Sequence, residues 1–139
     1  MKAEQIAKAL IVVASAFAAS TTAAQQVAFM CGGLMTVYNP DAQQGNIPSA
    51  ASHLDFDRKT LTTPIGTFDV INVSDTSVHL RSAGTNAQGA RLISNGSLDR
   101  ITGRLSVMWW LAAYGPTLPV GATASMHAEL ICRPTQRLF

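Results

Sequence analysis

Three polar side chains, His53, Asp55 and Asp57, alternate along the segment HLDFD, and His79 stands in a second alternating segment, VHL. If both segments are strands, these imidazole and carboxylate groups share a face and could ligate a divalent cation. The same i, i+2, i+4 spacing is what any solvent-facing strand shows, so no metal ligand is assigned. A Ser–His–Asp hydrolase could be assembled from His79, His127 and the many serines, but no GxSxG elbow supports it. No catalytic residue and no cofactor follow from the sequence, which points to a non-enzymatic protein.

Trp109 and Trp110 are adjacent, so on a strand one ring enters the core and the other points outward. The outward ring, Trp110, together with Tyr114 on the following connection, forms a candidate binding surface for a partner or a sugar. The alternative is a ring covered by that connection.

The remaining reactive side chains are Cys31 and Cys132, 101 positions apart, with neither a CxxC spacing nor a nearby His doublet. In an oxidising compartment such a pair is most simply one disulfide. Closing a loop of that size restricts the unfolded chain by about 4–5 kcal/mol in the chain-entropy account. That is a large fraction of a small domain's margin of roughly 5–15 kcal/mol.

The N-terminus agrees with an oxidising destination. Lys2 and Lys8 give a positive start, Ala9–Ala19 is an uncharged run, and Ser20–Ala24 offers small residues, with Thr22 and Ala24 at −3 and −1 of a cut before Gln25. The run is far shorter than the roughly 20 apolar residues a membrane helix needs. Residues 1–24 therefore read as a signal peptide, residues 25–139 as a single domain, and the location as periplasmic or secreted. Cys31 follows Phe29 and Met30, where a lipid-attachment site wants small residues. Loss of residues 1–24 removes Lys2, Lys8 and Glu4, leaving eight basic and seven acidic groups. That near-neutral balance lacks the electrostatic footprint of a nucleic-acid binder.

The elements that must position these residues are strands. Val27-Phe29-Cys31, Leu54-Phe56, Val78-Leu80, Leu105-Val107-Trp109 and Met126-Ala128-Leu130-Cys132 each recur with period two. Gly32-Gly33 suggests a bulge or bend. Residues 39–51 (NPDAQQGNIPSAA) and 82–89 (SAGTNAQG) read as loops, and 111–121 as a Pro/Gly-broken connection. Pro64 confines its strand to an edge, and Asn95-Gly96 reads as a hairpin turn. Seven to nine short strands predict an all-β domain, an antiparallel meander closing into a small barrel or sandwich, preceded by the signal-peptide helix. Both cysteines fall on inward stripes of the first and last strands, which a disulfide would tie together. A terminal Phe139 raises an outer-membrane barrel, but Pro134 interrupts the last strand and aromatic girdle positions are few.

One internal echo stands out: LDFDRKTLT (Leu54–Thr62) and SLDRITGRLS (Ser97–Ser106) share Asp-Arg-x-Thr between Leu-bearing strands. Either two hairpins use the same turn chemistry or a half-barrel is duplicated. Asn72-Val73-Ser74 and Asn95-Gly96-Ser97 match the glycosylation sequon, an ordinary coincidence in a chain rich in Ser and Asn.

With Cys31, the LDFDRKT and SLDRITGRL hairpins and the ending LICRPTQRLF, the chain resembles small exported β proteins of alphaproteobacteria. That resemblance implies no activity. The layout is also superficially similar to periplasmic lysozyme inhibitors, small disulfide-tied β-barrels. Their SGxxY-type loop would fall at Ser82-Ala83-Gly84-Thr85-Asn86, which lacks the aromatic residue. The expectation is an exported β protein that binds an unidentified protein or envelope component, with no integral span once the leader is gone. A lysozyme-inhibitor-like binder and a lipocalin-like carrier of an apolar ligand are the alternatives. Mass spectrometry of the exported chain is expected to show a new N-terminus at Gln25, and an intact Met1 in the exported material would disprove the leader.

Overall fold

The computed structural model of the chain describes residues 26–38 and 41–135, so the expected signal-peptide helix lies outside the described residues. Eight antiparallel strands close into one barrel in chain order: β1 (Gln26–Tyr38), β2 (Ala42–Asp55), β3 (Thr60–Thr63), β4 (Gly66–Val73), β5 (Ser77–Thr85), β6 (Arg91–Asp99), β7 (Arg104–Leu111) and β8 (Met126–Pro134). Only a three-residue 3-10 turn, Ala112–Tyr114, interrupts the all-β pattern among the described residues. No helix there is long and apolar enough to cross a membrane.

Alternation does what the sequence predicts. Leu54, Leu61, Phe68, Val78, Leu80, Leu98, Leu105, Val107, Trp109 and Leu130 are buried and meet in one core. The barrel centre is filled, with the Phe68 and Trp109 rings 6.1 Å apart. Polar residues such as His53, His79, Arg81, Asn95 and Glu129 occupy the intervening, exposed positions. The seam is β1 against β8, where Cys31 pairs in register with Cys132 and the two form a disulfide. A β-bulge at Cys31–Gly33 displaces the β1–β2 register at the glycine pair.

The structure corrects five sequence readings. The strand before Pro64, expected at an edge, is β3, paired with both β2 and β4, because the proline falls in the turn after it, where no ladder N–H is needed. Residues 42–51 form most of β2 rather than a loop, pairing with Gly33–Tyr38 beyond the bulge and with Met30 and Cys31 before it. Their small polar side chains suit a strand whose ladder, rather than side-chain burial, holds it to β1. Ser82–Thr85 extends β5, and only the turn beyond it remains, organised by Asn86 Oδ1 accepting from the Gln88 and Ala90 N–H groups. Asn95-Gly96 lies in the middle of β6, opposite Met108 and Val107. Gly96 serves close approach: a Cβ there would stand 2.7 Å from the Ser106 carbonyl oxygen. Asp55, expected on the solvent face, is buried at a turn.

The echo between the hairpins is real in geometry but shifted by two residues from the shared Asp-Arg-x-Thr. Asp55 and Asp99 each end a strand, a four-residue turn follows, and Lys59 (φ 53°) and Gly103 (φ 77°) occupy the same fifth position. Leu54 and Leu98 precede the aspartates, while Leu61 and Leu105 follow the turns at equal spacing. The Lys59 carbonyl accepts from Val70 N–H on β4, and the Gly103 carbonyl from Cys132 N–H on β8. The first four strands therefore repeat the arrangement of the last four. They differ in reach, because β3–β4 turn back at Pro64-Ile65 whereas β7–β8 run on to Leu111 and Met126.

Replacing both cysteines by serine is expected to lower the unfolding free energy by about 2–5 kcal/mol, read from urea denaturation. A change under about 1 kcal/mol would show that the β1–β8 ladder closes the barrel unaided.

Candidate functional site

The two equivalent turns shape the end of the barrel at which the described chain begins and ends. Asp55 Oδ1 accepts from the backbone N–H groups of Asp57 and Arg58 at 3.0 Å each, and Oδ2 accepts from Gln26 Nε2 at 3.2 Å. Asp99 Oδ1 accepts from Ile101 and Thr102 N–H at 2.8 and 3.0 Å. Such bonds favour the ionised carboxyl. The Arg58 N–H foremost, with Gln26 and Asp57, holds Asp55 below its ordinary value of 3.8 against partial desolvation. The N–H groups of Thr102 and then Ile101 do the same for Asp99.

Between these turns the mouth opens into a recess of about 360 Å³. Val27, Phe29, Leu54 and Phe56 form one wall, the Asp99–Gly103 turn overhangs another, and Arg133 and Pro134 complete the rim. Ile101, at the tip of its turn, is 77% exposed. Arg100 is fixed, its Nη1 donating to the Ser74 carbonyl at 2.6 Å. Arg133 is exposed and has no ion pair among the described residues. The arrangement offers apolar contact with a cation at the edge; of the other polar groups that line it, the Asp99 carboxylate accepts from the N–H groups of its own turn and Thr102 carries a hydroxyl.

The sequence candidates fall elsewhere. Trp110 lies on the outer face as expected but is only 2% exposed. The connection after β7 folds over it, Thr117 and Leu118 lie beside it, and its Nε1 donates to the Gly115 carbonyl at 3.0 Å. Tyr114 is exposed, so the two rings do not present one open aromatic surface. The alternative of a covered ring is what the structure contains at Trp110.

His53 and His79 are exposed on the wall, Asp57 is exposed in the β2–β3 turn, Asp55 is turned into its own loop, and no group of three or more potential metal donors assembles among the described residues. His127 Nε2 lies 3.2 Å from Ser106 Oγ and 3.9 Å from Glu129 Oε1. A catalytic relay needs the nucleophilic hydroxyl and the orienting carboxylate on opposite nitrogens of the histidine, which is itself the base. Here both contacts fall on one nitrogen, and Glu129 Oε1 is also held by Arg104 Nη2 at 2.6 Å.

Sequence reasoning did not single out the recess. Its available signal was Ile101, an apolar residue in the middle of an otherwise polar turn, DRITG. No protein-family model, curated protein or solved structure matches the chain. Fold and site define a class: an eight-stranded, disulfide-closed antiparallel barrel with a filled centre and an apolar mouth.

Asp55→Asn and Asp99→Asn are each expected to destabilise the barrel at neutral pH. Because the folded-state values are lowered, the carboxylates' contribution is present above 3.8 and disappears as pH falls through the lowered values. The gap between wild type and variant in thermal melts should therefore narrow on acidification below that point. A gap independent of pH would assign the effect to geometry alone.

Proposed function

We propose that this is an exported, non-enzymatic binding protein of the periplasm or extracellular space, whose barrel mouth takes the apolar part of a small ligand. The observation that carries this reading is the 360 Å³ recess in an otherwise filled barrel, with Phe29, Phe56 and Ile101 around it and Arg133 at its rim. Pockets for small molecules typically occupy about 300–1,000 Å³ and combine apolar walls with few polar groups. An anionic head beside Arg133 and an apolar body against Val27, Phe29 and Phe56 fit that pattern. The filled centre excludes a deep calyx, so only part of a ligand enters. Export is supported by the leader-like sequence at residues 1–24 and by the Cys31–Cys132 bond.

The anionic apolar dye 1-anilinonaphthalene-8-sulfonate tests the recess. Saturable binding is expected, weakened about ten-fold or more by Ile101→Asp. Arg133→Ala should weaken it less, with an effect that fades as salt rises. Equal titrations for wild type and Ile101→Asp would remove the recess as the binding site.

A further inference from the structure

A cleft of about 390 Å³ lies on the outer wall, apart from the recess, with β5, β6 and β7 as its floor and Thr117 and Leu118 of the connection after β7 closing one end. The strand register fixes what stands on the floor. His79, Ser97 and Ser106 lie opposite one another in one cross-strand row, and Asn95 lies opposite Met108 in the next. Neighbours in such rows are about 4.5–5.5 Å apart, so one small ring reaches more than one of them. Met108, Leu118 and the edge of Trp110 add apolar surface.

We propose that this cleft binds a neutral sugar ring. No Asp, Glu, Lys or Arg lines it, so its polar character comes from hydroxyls, an amide and an imidazole. Hydroxyls and amides both donate and accept, as does the imidazole in its neutral form. Sugar hydroxyls have the same double capacity and carry no charge that would need an opposite one. These groups are also available to a ligand. The Asn95 and Ser97 side chains, one exposed and one half-buried, make no hydrogen bond among the described residues. Ser106 Oγ has one partner, His127 Nε2 at 3.2 Å, and His79 Nε2 lies 3.4 Å from Ser77 Oγ. The C–H groups of a sugar would meet Met108 and Leu118 while its hydroxyls meet Asn95, Ser97 and Ser106. An extended peptide is the other neutral ligand with many donors and acceptors, but it gains its main-chain bonds from a free sheet edge. β5, β6 and β7 are each paired on both sides, so recognition here is left to side chains. The volume lies in the range of small-molecule sites, about 300–1,000 Å³. A fully paired floor also holds these groups in place before a ligand arrives, which lowers the ordering cost of binding.

Nuclear magnetic resonance titration of the ¹⁵N-labelled chain, disulfide intact, tests the proposal with the methyl glycosides of glucose, galactose, mannose and N-acetylglucosamine. At least one is expected to shift the Asn95 side-chain amide, the Trp110 indole N–H and the Leu118 amide saturably, while the Ile101 amide in the recess stays in place. Asn95→Asp and Ser97→Ala should keep the wild-type melting temperature, and Asn95→Asp should weaken binding about ten-fold or more. Glucose 6-phosphate and N-methylacetamide serve as the anionic and peptide-like comparisons and are expected to move these signals less. No saturable shift with any of the four glycosides, shifts centred on Ile101, a stronger response to either comparison compound, or equal affinity in wild type and both variants would each overturn the proposal. None of these results bears on dye binding at the recess, so the two sites stand or fall separately.

Discussion

A sheet becomes a barrel only if its first and last strands meet, and every other feature of this molecule depends on that meeting. β1 and β8 are joined by an antiparallel ladder from Phe29 to Val37, and the Cys31–Cys132 bond makes the junction covalent. Because the bridged residues are far apart in sequence, the bond constrains nearly the whole described chain. It also fixes the mouth: Phe29 and Pro134, which flank the seam, both line the recess. A domain of this size has little apolar surface to spare. Closing the seam covalently lets it keep an unfilled, partly apolar mouth without depending on that region for cohesion.

What could be read in the sequence follows from period two. Where one face is buried, as at Leu105-Val107-Trp109 or Ala128-Leu130-Cys132, alternation announces both the strand and its orientation. The disulfide was legible for the same reason, since both cysteines sit on those stripes. β2 was not legible over residues 42–51, because it buries almost nothing there and its stability comes from main-chain bonds that leave no pattern in side chains. Asn95-Gly96 misled because glycine marks both a tight turn and a crowded wall. Only the close approach of Ser106 and Val107, a long-range fact, separates the two.

The site was harder to read. Trp110 has the composition of an anchor and the surroundings of a core residue, and its covering comes from a connection whose path no local signal specifies. The recess is assembled from β1, the ends of β2 and β6, and β8, so its residues are scattered through the chain. Its floor follows from ordinary strand alternation, and its lip from a single misplaced isoleucine.

The two equivalent turns differ in one respect with consequences for sequence drift. Lys59 occupies a left-handed position that costs a side chain about 1–2 kcal/mol, and Gly103 occupies the matching position at little cost. A Cβ at Gly103 would run into the Cys132 carbonyl, whereas φ alone opposes the side chain at Lys59. One loop can therefore accumulate substitutions and merely lose a little stability. Its counterpart is held to a single residue type by the backbone of the strand that carries the disulfide. Mutational tolerance is thus unequal across two turns of the same shape, and the rigid one is the one that touches the seam.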